Sequence, residues 1–245
     1  NGKYDIFVHD RGTGKTTRVS VRTNGVQGDT SSYDPSISLD GRYVAFSSFA
    51  TNLVNGDTNG AADVFVHDRQ TGKTGRVSVR TNGVEGDSHS YDPSISKNGR
   101  YVAFYSYATN LVNGDTNGAA DIFMHDRETG KTKRVSVKPS GVQGDGDSSS
   151  PSISSDGRYV AFDSFATNLV NKDTNGKWDI FVHDRETGET KRVSVRTNGK
   201  QGDSTSRHPS ISSNGRYVAF YSYATNLVNG DTNGFSDIFV TKLSA

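Results

Sequence analysis

Asp5-Ile6-Phe7-Val8-His9-Asp10-Arg11 returns as Asp63-Val64-Phe65-Val66-His67-Asp68-Arg69, again from Asp121 and from Asp179, and in degraded form from Asp237. Each copy begins 58 residues after the one before. So constant a period marks a solenoid, propeller or array, in which each unit covers apolar surface that its neighbour cannot bury alone. Working outward from this segment, one unit reads as four short strands. Pro35-Ser36-Ile37-Ser38 is the first, with proline at a strand start where its missing N–H costs no ladder bond. Asp40-Gly41 follows, a hairpin signal that recurs as Asn98-Gly99, Asp156-Gly157 and Asn214-Gly215, and both turn residues are expected at positive φ. Arg42 to Phe46 is the second strand, Val64 to His67 the third, and a turn around Thr71-Gly72 leads to the fourth, Arg76 to Val79. No stretch sustains a 3.6-residue period, so helices are not expected.

Four antiparallel strands at constant period describe the blade of an all-β propeller, here one domain spanning residues 1–245. Ordinary blades run to roughly 40–50 residues, and the surplus falls in two connections, Thr23 to Asp34 and Ala50 to Ala62. Both leave the same face, which is therefore loop-rich. Third strands start at Asp5, Asp63, Asp121, Asp179 and Asp237, giving 17 strands where four blades need 16. The expected closure pairs Arg18 to Arg22 with Pro209 to Ser212, Tyr217 to Tyr221 and Ile238 to Leu243, which removes an exposed seam. One third strand is then surplus and free to pair with a neighbouring molecule, making a homo-oligomer or filament.

Pro-Ser-Ile-Ser-Leu-Asp-Gly-Arg-Tyr-Val-Ala-Phe at 35–46, followed by Asp-Val-Phe-Val-His-Asp at 63–68, resembles the TolB-type, WD40-like (PD40) β-propeller repeat. The likeness covers nearly the whole chain. That family's usual turn is aromatic-Ser-Pro-Asp-Gly, whereas Ile37 and Leu39 stand here. The resemblance therefore implies the fold and does not carry over TolB's own partners.

Composition narrows the function. Of the 245 residues, 31% are hydrophobic and 22% charged, with 27 glycines and a formal charge of +1. Acidic and basic residues are interspersed, so neither nucleic acid nor an anionic membrane is favoured as a partner. No apolar run reaches the roughly 18 residues of a membrane span, and the first residues lack the regions of a signal peptide, so the chain reads as mature or processed. Cysteine is absent, which excludes disulfides and thiolate metal sites.

The connection from strand two to strand three reads Asn55-Gly56-Asp57-Thr58-Asn59-Gly60-Ala61-Ala62-Asp63. Oxygen-bearing side chains fall at positions 1, 3, 5 and 9 with glycine at 6, a stretch resembling EF-hand-like loops and the calcium loops of integrin-type propellers. Alternate residues of a curled loop point inward, the position-7 carbonyl adds an oxygen, and two carboxylates balance a hard cation. The expected calcium ligands are therefore Asn55, Asp57, Asn59, Ala61 and Asp63; Asn113, Asp115, Asn117, Ala119 and Asp121; Asn171, Asp173, Asn175, Lys177 and Asp179; and Asn229, Asp231, Asn233, Phe235 and Asp237. Position 12 is valine or methionine (Val66, Met124, Val182, Val240), so the bidentate glutamate of an EF-hand is missing. Weak sites of about 10⁻⁴–10⁻³ M belong to extracellular modules, which points to a secreted or cell-surface bacterial protein. The alternative is that these side chains only cap turns.

His67-Asp68-Arg69 and its copies suggest acid–base chemistry, yet four near-equivalent runs read better as repeated hydrogen bonds and ion pairs than as one tuned site. No nucleophile elbow is present, no catalytic residue is assigned, and the expectation is that the chain is not an enzyme. Tyr33, Tyr91, Trp178 and Arg207 vary between repeats on the loop-rich face and are the candidate ligand residues. The resulting expectation is a calcium-supported extracellular scaffold or binding module for a carbohydrate or protein partner. Its alternatives are a self-assembling structural protein and a propeller hydrolase or lyase acting on polysaccharide.

Overall fold

The computed structural model describes residues 1–243. It contains 17 strands: β1 Phe7–Asp10, β2 Lys15–Arg18, β3 Ser32–Ile37, β4 Tyr43–Ser48, β5 Asp63–Asp68, β6 Lys73–Arg76, β7 Ser90–Ile95, β8 Tyr101–Ser106, β9 Asp121–Asp126, β10 Lys131–Arg134, β11 Ser148–Ile153, β12 Tyr159–Ser164, β13 Asp179–Asp184, β14 Thr190–Arg192, β15 Ser206–Ile211, β16 Tyr217–Ser222 and β17 Asp237–Lys242. No helix among the described residues is long and apolar enough to cross a membrane. β3 to β6, β7 to β10 and β11 to β14 each form a four-stranded sheet in sequence order. These are the blades the 58-residue period implies. The chain divides into two compact units, residues 1–114 with 124–133, and residues 115–123 with those from Arg134 onward.

Within each unit the sheets shield one another. Ile6, Val19, Val44, Phe46, Leu53 and Phe65 share one core of the first unit, and Ile180, Val182, Val193, Ile211, Val218 and Phe220 share one of the second. The phenylalanines of strands two and three, such as Phe46 with Phe65 and Phe162 with Phe181, stack as buried pairs.

Several expected details differ, each for a local reason. The fourth strand lies at Lys73–Arg76, ahead of the expected Arg76 to Val79. Beyond Val77 the ladder stops, because the Val64 N–H donates to the Ser78 hydroxyl at 3.1 Å instead of to a carbonyl. Pro35 is not at the strand start: it follows a bulge at which Asp34 takes φ 53°, and Asp92, Ser150 and His208 do the same in their repeats. A bulge is a place where proline is tolerated. In the Asp40-Gly41 turn only glycine has positive φ. Asp40 instead accepts hydrogen bonds from Ser38 Oγ at 2.6 Å and the Arg42 N–H at 3.0 Å, while the Gly41 N–H donates to Ser38 O at 2.9 Å.

The expected closure of the terminal strands is not formed. Lys15–Arg18 pairs with Phe7–Asp10 as a two-stranded sheet, and β15, β16 and β17 stand as a separate sheet of three. The local hairpin wins because its short turn is pinned by the Asp10 carboxylate, which accepts N–H bonds from Gly12 at 2.8 Å and Thr13 at 3.2 Å. Closing a long loop costs more entropy than closing this turn.

One turn glycine is fixed by a neighbouring repeat. A Cβ on Gly99 would stand 2.1 Å from Tyr43 Cδ2, whereas one on Gly41 would meet the Arg69 guanidinium at 3.5 Å and Ile37 Cδ1 at 4.0 Å, both ordinary contacts. Both have positive φ. Gly41→Ala should therefore cost the left-handed strain alone, about 1–2 kcal/mol, and Gly99→Ala a further 1–3 kcal/mol or so for displacing Tyr43. Urea unfolding of the two variants checks the order.

Candidate functional site

The Asn/Asp loops come first, since the sequence singles them out. Asp57, Asp63 and Glu85 each place a carboxylate oxygen within 4.8 Å of the others, a grouping that could hold a metal ion. The cation within that grouping is a guanidinium. Arg76 Nη1 lies 2.6 Å from Glu85, 3.0 Å from Asp63 and 3.5 Å from Asp57, and its side chain is only 8% exposed. Its Nη2 also donates to Gly56 O at 2.9 Å. Strand four positions Arg76 by running antiparallel to strand three, with Arg76 opposite Phe65.

The remaining expected ligands are held by protein donors. Asn55 Oδ1 accepts from Arg22. Asn59 Oδ1 accepts the Ala61 N–H at 2.8 Å, and its amide donates to Asp63 at 3.2 Å and to Gly86 O at 2.8 Å. The second loop repeats this: Arg80 bonds Asn113, Arg134 reaches Asp115 at 3.1 Å and Asp121 at 2.9 Å, and Asn117 receives the Ala119 N–H. In the third loop Arg192 reaches Asp173 at 3.0 Å and Asp179 at 3.4 Å, and Asn175 receives the Lys177 N–H; Asn171 lies beside Lys138 in a shallow cleft. In each of these three loops position 1 or 5 thus accepts a protein donor and the carboxylates face an arginine.

The fourth loop differs. Arg196 bonds Asn229, Asn233 bonds Asp237 at 3.0 Å and receives the Phe235 N–H, but among the described residues no arginine pairs with Asp231 or Asp237. Its strand-four partner is missing from the three-stranded sheet.

Electrostatics follow from this arrangement. Burial, and then the neighbouring Asp63, push the Asp57 carboxyl up to about 6 against the pull of Arg76. Asp173 rises to about 6 for the same reasons, with Asp179 as its neighbour. A raised carboxyl stabilises fully below its ordinary value of 3.8, and that stabilisation is lost as the pH climbs through about 6. Asp68, Asp126 and Asp184 behave oppositely: hydrogen bonds from Arg42, Arg100 and Arg158 hold them low, so their contribution is lost as the pH falls below 3.8. Asp57→Asn should therefore flatten the decline in melting temperature between pH 4 and pH 6 or so and leave the acid limb untouched, which a pH series of melting curves reads directly.

The His-Asp-Arg runs serve the turns. His67 Nδ1 meets Thr74 Oγ1 at 2.8 Å, Arg42 holds Asp68 through two bonds of 2.9 and 2.8 Å, and Arg69 donates to Gly41 O at 2.6 Å.

A second grouping stands where strand one begins and strand two ends, on the loop-rich edge. In the first unit Tyr33 lies 6.5 Å from Phe49, Phe49 6.2 Å from Tyr91, Tyr91 5.6 Å from Tyr105, and Tyr105 6.1 Å from Tyr107, all between ring centroids. Tyr4 and His89 extend the row. Beside it stand the bulge carboxylates Asp34 and Asp92; burial and then Asp92 push the Tyr105 hydroxyl above its usual range. In the second unit Arg207 lies over Trp178 at 3.8 Å and Phe165 lies 6.0 Å from Trp178. Fully buried Asp163 accepts from Ser149 Oγ at 2.6 Å, the His208 N–H at 2.9 Å and Arg207 Nε at 3.4 Å. Left-handed φ at Asp34, Asp92, Ser150 and His208 is strain of the kind that re-aims side chains at binding edges.

The four expected ligand residues thus fall into two aromatic groupings, Tyr33 and Tyr91 in one unit and Trp178 and Arg207 in the other. Sequence reasoning missed Phe49, Tyr107, Phe165 and Tyr223, the exposed aromatic that ends strand two in every repeat. Its signal was an aromatic before each Ala-Thr-Asn. It also missed Arg76, Arg134 and Arg192, visible only as the constant Arg of Arg-Val-Ser-Val.

No protein-family model matches the sequence, and no curated protein matches it. Solved structures do. TolB from Acinetobacter baumannii matches with a TM-score of 0.55 at 17% identity, over 97% of this chain and 46% of that one. A putative TolB from Agrobacterium tumefaciens matches at 0.54 and 16%, over 95% and 80%. An oligogalacturonate lyase in complex with manganese matches at 0.54 and 16%, over 98% and 54%. The chain thus spans about half the length of the first and third. The expectation that the chain is not an enzyme is corrected by the lyase, since the same architecture is shared with an enzyme. At these identities the likeness concerns the fold, and the fold is similar to that of the TolB-type β-propellers.

Proposed function

We propose that the chain is a propeller-type binding module of an extracellular or cell-surface protein, presenting its loop-rich edge to a carbohydrate. One observation carries this reading: every repeat exposes an aromatic ring at the end of strand two, and in the first unit these rings continue through Tyr33 and Tyr91 into one row flanked by carboxylates. Flat apolar faces bordered by a few polar groups suit sugar rings, whose C–H faces pack on aromatics while their hydroxyls bond to carboxylates. Arginine faces the carboxylates of the three internal loops beneath this edge.

The test is binding to a polysaccharide panel, followed by titration of hits against Phe49→Ala and Tyr91→Ala. Trp178 is the only tryptophan, and its fluorescence reports separately on the second unit. Each substitution should weaken binding about tenfold, the scale of losing one central aromatic. Unchanged affinity in both variants, or no hit on the panel, would remove the proposal. The same mixtures, assayed for chain cleavage, show whether binding leads to turnover.

A further inference from the structure

The second unit gathers several departures from the repeat in one place. Positions 34, 92, 150 and 208 are equivalent by the 58-residue period and carry Asp, Asp, Ser and His. All four sit at the strand-one bulge with left-handed φ, at 53°, 49°, 52° and 53°. Aspartate and histidine are enriched in that region and serine is not, so the strain at Ser150 is held by its surroundings. Positions 33, 91, 149 and 207 carry Tyr, Tyr, Ser and Arg, and positions 47, 105, 163 and 221 carry Ser, Tyr, Asp and Tyr. Ser149, Ser150, Asp163, Arg207 and His208 all meet. Ser150 Oγ lies 3.4 Å from His208 Nδ1. Asp163 is fully buried and accepts the His208 N–H at 2.9 Å and Ser149 Oγ at 2.6 Å. Arg207 reaches Asp163 through Nε at 3.4 Å and Ser149 Oγ through Nη2 at 3.3 Å. The imidazole packs on Tyr221, with ring centroids 5.6 Å apart and planes at 31°. His208 is exposed and Ser150 half-buried, so a solute can reach both. A chain that breaks its own local rules at one cluster marks that cluster as a functional site.

We propose that Ser150 and His208 form a nucleophile–base pair that hydrolyses carboxylic esters. With the imidazole hydrogen on Nε2, Nδ1 accepts the Ser150 hydroxyl, and a separation of 3.4 Å is the looser geometry such a pair holds without substrate. Ser150 Oγ attacks the ester carbonyl carbon and its proton passes to His208 Nδ1. The carbon–oxygen bond to the alkoxide then breaks, and the imidazolium returns that proton to the departing alcohol. Water attacks the resulting acyl-serine, gives a proton to Nδ1, and the carboxylic acid leaves as Ser150 Oγ takes the proton back. The sum is ester plus water to acid plus alcohol. Arg207, next to His208 in the chain, supplies positive charge for the carbonyl oxygen as it becomes negative. The Trp178 ring, which lies under Arg207 at 3.8 Å, offers an apolar face to the acyl or alkoxy group. This activity does not depend on carbohydrate binding by the first unit.

Hydrolysis of p-nitrophenyl acetate by the full 245-residue chain tests this, alongside Ser150→Gly and His208→Asn. Glycine and asparagine accept the left-handed backbone, so both variants should keep the fold, which circular dichroism confirms. The wild type should turn the ester over, and each variant should be slower by about a hundredfold, the scale of losing a nucleophile or its base. A fluorophosphonate probe should label Ser150 of the wild type, located by peptide mass spectrometry, and should label His208→Asn far more slowly. A wild type no faster than Ser150→Gly, or a probe that leaves Ser150 unmodified, would overturn the proposal. So would hydrolysis that persists in Ser150→Gly and is lost in His208→Asn, since the imidazole would then act alone.

Discussion

Replacing Arg76 with methionine is expected to cost about 3–5 kcal/mol of folding free energy, the scale of removing one partner from a buried charge pair. The guanidinium serves three carboxylates at once, and Asp63 is fully buried beneath it. Methionine keeps the volume of the stem but leaves Asp57, Asp63 and Glu85 facing one another without a cation. Desolvation and mutual repulsion then act in the same direction. Lowering the pH should recover part of the loss, because Asp57 already titrates near 6 with the arginine present and should titrate higher without it. Urea unfolding at neutral and mildly acidic pH gives both numbers. A loss below about 0.5 kcal/mol, as for an ordinary surface change, would mean the cluster does not hold the loop.

Phe181→Ala should cost a similar amount, about 3–5 kcal/mol, through transfer and cavity effects together. Phe181 is fully buried and stacks on Phe162 with centroids 5.9 Å apart. Phe239 has the same geometry against Phe220, also at 5.9 Å, but it belongs to the terminal sheet and is only partly buried. Phe239→Ala should therefore cost clearly less. The comparison measures what strand four and the next repeat contribute together, since both phenylalanines stack on a strand-two ring but only Phe181 also has a fourth strand opposite it. Equal losses at both positions would mean that together they add little.

Much of the fold was legible because a 58-residue period constrains every unit at once. Glycines after Asp40, Asn98, Asp156 and Asn214 mark real turns, and four third strands begin at the named aspartates Asp63, Asp121, Asp179 and Asp237, while the first begins at Phe7 and not at Asp5. The register of strand four was not legible: Val77 to Val79 has strand composition, but the Ser78 hydroxyl takes the bond that would extend the ladder. Closure of the chain ends failed for a related reason, since a pinned local hairpin competes with a distant strand of nearly the same sequence.

The loops show the limit of a local pattern most clearly. Asn59 with Asp63 has metal-ligand spacing, and the same side chains also make a turn that caps the Ala61 N–H. Nothing within those nine residues separates the two. The residue that does is Arg76, brought in by strand four from outside the loop. The aromatic edge was half visible: Tyr33, Tyr91 and Trp178 stood out by varying between repeats, while Phe49 and its counterparts were passed over because an aromatic recurs there in every unit.

The account rests on arginine serving as the cation beneath each internal loop, and the melting temperature of the wild-type chain measured in calcium and again in EDTA tests this most directly. It should be the same in both. A fall on chelation would show that the carboxylates hold a metal ion, contradicting the arginine clamp.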